Sequence, residues 1–219
     1  MALGGDLSPA RLLAAYRRGI FPWYSEGQPI LWWSPDPRAV FSPAGIHQSR
    51  SLKKHLRQCG WQVTINNQFK RVIQACSEPR TYADGTWLSA DMKDAYEQLH
   101  YLGYAHSIEV WQGSELMGGL YGLALGRVFF GESMFSVYAN GSKVALQALA
   151  WLASELGIEL IDCQVGSAHV YSMGAENLPR IQFERRLAQL ATPVLTQQMH
   201  PAWASLRLRQ IPCDQLIQP

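Results

Sequence analysis

Two adjacent tryptophans, Trp32 and Trp33, run straight into Ser34-Pro35-Asp36-Pro37-Arg38. Proline fixes φ, removes a backbone donor and pushes the residue before it out of the helical region. Ser34 and Asp36 both precede proline, so Ile30–Arg38 is not expected to be helical. A central strand would lack the donors its ladder needs. The stretch therefore reads as a stiff, extended connector carrying two large indoles. Such a rod can wall a site or brace two parts of a molecule. No proton-transfer role is assigned to its side chains, and a brace between two parts of the chain is expected.

Charge supports a division. Among residues 1–80, 11 Lys and Arg face 4 Asp and Glu, a net of +7; residues 81–219 hold 8 and 13, a net of −5. A basic front points to a polyanion and an acidic back to a cationic ligand. With 219 residues, 47% hydrophobic and 16% charged, the chain can bury a sizeable core and is not of the disordered class. No apolar run reaches a membrane span, and no basic-then-apolar leader is visible. Cys59, Cys76, Cys163 and Cys213 are scattered without a CxxC pair or zinc-ligand spacing. A reduced, cytoplasmic setting without structural disulfides or metal is expected.

Local signals place the elements. Ser8-Pro9 opens a helix that Gly19 ends, and Phe21–Pro43 reads as mostly irregular. A helix from Ser49 to Gln58, a strand over Trp61–Ile65 and a short helix over Phe69–Cys76 follow, then a loop over Thr81–Gly85. Ser89 caps the next helix, with Asp91 in its first turn. Three strands, His106–Trp111, Leu116–Leu125 and Arg127–Phe135, turn at Gly113 and Gly126. A helix from Gly141 to Leu156, a strand over Ile158–Cys163, a helical turn or two over Ala168–Met173 and a helix over Gln182–Leu190 complete the order. After Pro193 an irregular tail is expected. This is an α+β order of the acetyltransferase-like (GNAT) kind, by fold-level analogy. The turn Tyr138-Ala139-Asn140-Gly141-Ser142-Lys143 has one glycine where those enzymes carry a pyrophosphate-binding loop, so acetyl-CoA is not implied. The expected division is residues 1–60, a small domain with a basic helix, and residues 61–219, the acetyltransferase-like domain with a mostly antiparallel sheet.

Three constellations could carry chemistry. Arg50, Lys53, Lys54 and Arg57 fall at i, i+3, i+4 and i+7 on one helix face. They are either phosphate contacts or an ordinary solvated surface. Glu132 lies between aromatics in Phe129-Phe130-Gly131-Glu132-Ser133-Met134-Phe135. Alternation puts Phe130, Glu132 and Met134 on one face, and a bulge at Gly131 would scramble that. Glu132 is either an edge-exposed carboxylate or one lining an apolar pocket. Asp162 and Gln164 lie two apart at the end of a largely apolar strand and converge as a polar site, or as a cap or satisfied core network. Cys163 faces away from them and reads as core filler. The histidines and serines form no triad.

The chain resembles the bacterial leucyl/phenylalanyl-tRNA–protein transferases. The matching text is Leu3-Gly4-Gly5-Asp6-Leu7-Ser8, Gly19-Ile20-Phe21-Pro22-Trp23, Trp32–Arg38, Gly85-Thr86-Trp87, Gly131-Glu132-Ser133-Met134-Phe135-Ser136 and Ile161-Asp162-Cys163-Gln164, in order over most of the chain. The resemblance implies transfer of Leu or Phe, also Met, from aminoacyl-tRNA to a protein with N-terminal Arg or Lys. The new peptide bond marks that protein for N-end rule degradation. No cofactor is implied, and a monomer is expected.

By resemblance Asp162 and Gln164 are the catalytic pair. Gln164 would accept a hydrogen bond from the attacking amine while Asp162 orients it. Trp23, Trp87, Phe129, Met134 and Ile161 would line the side-chain pocket, Ser133 would lie at the substrate site, and Glu132 would sit by the reacting ends. Arg50, Lys54 and Arg57, with Lys53, would hold the tRNA acceptor arm. Departures are the start at Met1-Ala2-Leu3, where the family has a short leading segment, a longer Arg80–Asp84 loop and a weakly matching tail. An N-terminal domain lacking part of its leader is expected. Two other readings share parts of the pattern: a CoA-dependent N-acetyltransferase, and a non-catalytic tRNA-binding protein.

Overall fold

The computed structural model describes residues 2–78, 88–191 and 201–218. The chain order is β1 (Ala2–Leu3), α1 (Pro9–Tyr16), β2 (Phe21–Pro22), β3 (Leu31–Trp33), β4 (Arg38–Phe41), α2 (Arg50–Gln58), β5 (Gln62–Ile65), α3 (Phe69–Ser77), α4 (Ala90–Tyr101), β6 (Ala105–Gln112), β7 (Glu115–Leu125), β8 (Val128–Ser136), α5 (Gly141–Leu156), β9 (Leu160–Gln164), α6 (Ala168–Ser172), β10 (Glu176–Leu178), α7 (Arg180–Leu190), α8 (Pro201–Leu206) and β11 (Ile211–Pro212). Short 3₁₀ turns cover Pro43–Gly45 and Cys213–Leu216. The class is α+β, as expected. No helix among the described residues is long and apolar enough to cross a membrane.

Strand alternation sends successive side chains to opposite faces, and each face takes its own helices. Phe129, Ile161, Ile108 and Val110 pack with Leu52 and Leu56 of α2, with α5, and with Trp203 and Leu206 of α8. Val128, Phe130, Leu160 and Leu123 pack instead with Leu12 and Tyr16 of α1, and with α3, α4 and α7. Between these layers, the described strands of the large sheet run β10-β4-β9-β8-β7-β6-β5-β11. All its pairs are antiparallel except β8 with β9. A small sheet, β1-β3-β2, holds the tryptophan pair. Residues 1–60 thus give β1–β3 to the small sheet, and β4 and α2 to the large sheet and its helical cover.

Two expectations about local structure need correction. Arg38–Phe41 lies in a stretch expected to be irregular, yet it is a buried strand between β9 and β10. The five residues between Pro37 and Pro43 are too few to display a period. The tail is not irregular throughout, because α8 and β11 return to the sheet. These short elements are held by tertiary burial of Trp203, Leu206 and Ile211, which local propensity does not register. Among the caps, Ser49 and Ser89 accept from Leu52 and Met92 N–H as expected. Ser8 stands at the N-cap of α1 without a side-chain cap bond.

The sheet is cut open where its strands bulge. β8 carries Glu132 as an extra residue, since Ser133 faces Tyr121 and Gly131 faces Gly122. β9 carries Cys163 as one, since Gln164 faces Ala39 and Asp162 faces Val40. The parallel pairing of β8 with β9 ends at Phe130 and Asp162. Beyond that point Glu132 and Gln164 stand at the opening.

Arg38 holds this end of the molecule together. Its guanidinium donates to both oxygens of Asp162, each at 2.7 Å, and to the Gly19 carbonyl at 3.0 Å. It lies 5.0 Å from the Phe21 ring centre and 4.6 Å from that of Phe183. The two charged side chains are 1% and 0% exposed. Breaking a buried pair by removing one partner leaves an uncompensated charge, at a cost of about 3–5 kcal/mol. Arg38→Met should therefore lower unfolding free energy in urea by about that amount, whereas Arg38→Met with Asp162→Leu should lose much less. Equal losses from the single and double variants would contradict the buried ion pair.

Candidate active site

The backbone at the opening is strained. Gln164 sits at φ +56°, a left-handed conformation uncommon for a residue with a side chain. Such strain persists only where surrounding contacts impose it. Here the Gln164 N–H donates to Asp162 Oδ1 at 2.9 Å, and its Nε2 donates to Glu132 Oε1 at 3.0 Å. With Nε2 anchored, the carboxamide oxygen is turned from Glu132.

Glu132 is held from three sides. Tyr16 and Tyr96 donate to its two oxygens at 2.8 Å each, and the two hydroxyls lie 2.5 Å apart. Removal from water pushes the Glu132 carboxyl up to about 7. The tyrosine hydroxyls pull it down, the charge of Asp162 pushes it further up, and that of Arg38 lowers it. Burial holds Tyr16 and Tyr96 well above the usual phenol range.

Two cavities meet at Glu132, Cys163, Gln164 and Val165. The larger, of about 250 Å³, has apolar walls that include Phe129, Met134, Leu146, Leu149, Ile161 and Val170. The smaller, of about 150 Å³, is walled by Phe21, Pro22 and Trp23. One hydrogen-bonded carboxylate–carboxamide pair is thus reached from two directions.

The sequence profile of the leucyl/phenylalanyl-tRNA protein transferases matches residues 40–188, and that of their N-terminal domain matches residues 5–36. The chain belongs to this family. A leucyl/phenylalanyl-tRNA–protein transferase from Stutzerimonas stutzeri is 56% identical over 188 residues, covering 86% of this chain and 83% of that protein. One from Saccharophagus degradans is 53% identical, covering 86% and 78%. One from Pseudomonas aeruginosa strain UCBPP-PA14 is 57% identical, covering 84% and 81%. Among solved structures, a GCN5-related N-acetyltransferase from Kribbella flavida is similar, with a TM-score of 0.43 and 11% identity over 78% of this chain and 61% of that one.

Several residues singled out from the family motifs do come together. Phe129, Ser133, Met134 and Ile161 line the larger cavity with Glu132 and Gln164. Trp23 is in the smaller one, stacked obliquely on Trp33. Trp87 lies outside the described residues. Asp162 faces neither cavity: it is fully buried against Arg38, behind Gln164. Alternation misassigned Phe130 and Met134 to one face, because the Glu132 bulge separates them. Cys163 is not mere core filler, since the β9 bulge turns it into the wall of both cavities. On α2, Arg50, Lys54 and Arg57 are exposed, while Lys53 is half-buried and donates to the Gln218 carbonyl at 3.0 Å.

Sequence reasoning missed Arg38, Tyr16 and Tyr96, which meet Asp162 and Glu132 across separations of 124, 116 and 36 residues. Local spacing holds no trace of such contacts.

The Glu132 carboxyl binds its proton more tightly folded than unfolded. Its stabilising contribution is therefore full below about 4.5 and lost as pH rises through about 7. The stability of the wild type relative to Glu132→Gln should fall across that window, by at most about 1.4 kcal/mol per pH unit. Parallel stability profiles from pH 4 to 8 would refute the raised carboxyl.

Proposed function

We propose that the chain transfers Leu or Phe, and also Met, from aminoacyl-tRNA to the N-terminal Arg or Lys of acceptor proteins. The observation that carries this reading is the apolar cavity of Phe129, Met134 and Ile161 opening directly on the Glu132–Gln164 pair. The leucyl or phenylalanyl side chain occupies that cavity and brings its ester carbonyl to the opening. An unbranched β-carbon and an uncharged side chain fit; discrimination among Leu, Phe and Met is weaker, as hydrophobic pockets dictate.

The acceptor amine approaches through the smaller cavity beside Trp23. Gln164 Oε1 accepts a hydrogen bond from it and holds it against the carbonyl. A C–N bond forms, the ester C–O bond breaks, and the amine proton passes to the departing ribose oxygen. A carboxamide positions but does not take up a proton. Glu132, with its carboxyl near neutrality, is the member of the pair able to accept and return one. Its charge also suits a basic acceptor. Asp162 is a positioning residue that acts through the Gln164 N–H and through Arg38. Because the ester is already activated, orientation supplies much of the needed acceleration.

Arg50, Lys54 and Arg57 of α2 hold the tRNA acceptor arm by phosphate contacts, with Lys53 bound to the C-terminal segment instead. Product release leaves a protein bearing a primary destabilising residue, the mark read in N-end rule degradation.

The test is transfer of Leu from Leu-tRNA to an Arg-starting peptide, repeated with Phe, Met, Val and Lys donors. Gln164→Ala should lower kcat by about a hundredfold or more with KM for Leu-tRNA little changed. Undiminished transfer in Gln164→Ala would overturn the assignment, and a wild type that binds Leu-tRNA without transferring would leave only a binding role. Replacing Arg50, Lys54 and Arg57 together by Ala should raise KM for Leu-tRNA. It should also flatten the slope of log KM against log salt by about 0.9 per lost phosphate contact; an unchanged slope would remove α2 from the tRNA interface.

A further inference from the structure

We infer that Lys143 of α5 and His169 of α6 form a phosphate track between α2 and the apolar cavity, along which the single-stranded 3′ end of the tRNA reaches the site. This rests on the aminoacyl-tRNA reading above. Neither residue belongs to the acceptor-arm stripe or to the reacting pair.

The first support is charge. Residues 37–77, 133–154 and 163–175 contain no Asp or Glu at all. These three acid-free segments are bonded to one another. Gln147, one turn beyond Lys143, donates to the His47 carbonyl at 3.0 Å and accepts from Gln48 at 2.9 Å. His47 N–H donates to the Met173 carbonyl at 2.8 Å. Ser49, the next residue after Gln48, caps α2, and Arg50 follows it. The cations of α2 and the start of α5 therefore share one surface. Asp214 sits on the 3₁₀ turn that packs against α2.

The second support is position relative to the cavity. Leu146 and Val170 are both in its wall. Lys143 lies three residues before Leu146 on α5, and His169 immediately precedes Val170. The two side chains are close enough that the Lys143 charge lowers the His169 imidazole, after the larger effect of burial. A cation and a ring N–H donor thus stand within a helical turn of residues in the cavity wall. Tyr138, whose carbonyl accepts from the Gly141 N–H at the start of α5, is 54% exposed, as a base-stacking surface must be. Single-strand binding of this kind combines a basic path with exposed rings and reads little sequence.

Three donors separate this track from the rest of the reading: Leu-tRNA, a leucylated CCA trinucleotide, and leucyl-adenosine, which has no phosphate. Lys143→Gln, which keeps most of the stem, should raise KM about five- to tenfold for the first two, lower the salt slope by about 0.7 and leave leucyl-adenosine unchanged. His169→Gln should act in the same direction, and kcat should hold within about twofold in both variants. An unchanged KM for the trinucleotide, or an equal rise for leucyl-adenosine, overturns the track. The triple alanine variant of α2 should affect Leu-tRNA alone. If it does not, the acceptor-arm role of α2 falls while the track stands on the trinucleotide result.

Discussion

Arg38 is a contact at which the two sheets, β9 and α7 meet. Its guanidinium touches the end of α1 through Gly19, β2 through Phe21, α7 through Phe183 and β9 through Asp162. Taking two charges out of water is costly, and a pair so buried adds stability only when its geometry and remaining hydrogen bonds are good. Here both carboxylate oxygens take guanidinium N–H groups in a bidentate arrangement, and Oδ1 also takes the N–H of Gln164. The return is positional. Asp162 fixes the strained Gln164 backbone, and that strain aims a carboxamide into the gap between β8 and β9. A shift of Arg38 would be felt at Gln164 through two hydrogen-bonding steps.

A comparison of two buried carboxylates shows what distinguishes a structural one from a reactive one. Glu109 accepts from Thr64 and Ser107 at 2.6 Å each and from the Gln68 N–H at 3.2 Å, and it is fully buried. Burial raises its carboxyl too. Every donor around it is internal, and its work is to tie β5, β6 and the start of α3. Glu132 has three internal donors as well, but it stands where two cavities join. Raised affinity for a proton has chemical consequence only where a substrate can reach it. The same physics therefore gives a cap in one place and, on the proposed reading, a proton-handling group in the other.

The sequence was most legible where a local rule held. Serine caps, turn glycines and apolar periods locate α2, α4, α5 and the β6–β8 meander, and the family motifs mark Glu132, Asp162 and Gln164. The Trp32–Arg38 connector is a brace in detail. Trp32 Nε1 donates to the Gly4 carbonyl at 2.9 Å, Asp36 accepts the Arg180 N–H at the start of α7 at 3.0 Å, and Arg38 pairs with Asp162. Alternation failed at the bulges, because one extra residue reverses the facing of everything after it. Partners far apart in the chain were invisible: nothing near Tyr16 or Tyr96 announces a shared carboxylate. Arg38 misleads in a further way, since it counts toward the +7 of the basic half yet is 1% exposed.

That last point revises what the charge asymmetry means. The acidic half includes Glu109 and Asp162, which are fully buried and paired or capped, and Glu132, which lies inside the site. Glu97, Glu155, Glu159 and Glu184 face Lys70, Arg209, Arg127 and Arg180. Exposed pairs of this kind contribute little individually, and Asp91, Asp94, Glu115, Glu176 and Asp214 stay exposed outside them. On the proposed reading a basic acceptor terminus is met at short range by Glu132, at the meeting of the cavities. On the other side, the exposed cations of α2 and Lys143 have no carboxylate in their own segments to cancel them. On the proposed reading the two substrates are sorted by different means: the tRNA by a long-range surface field that salt screens, and the acceptor by one short-range contact that salt scarcely touches.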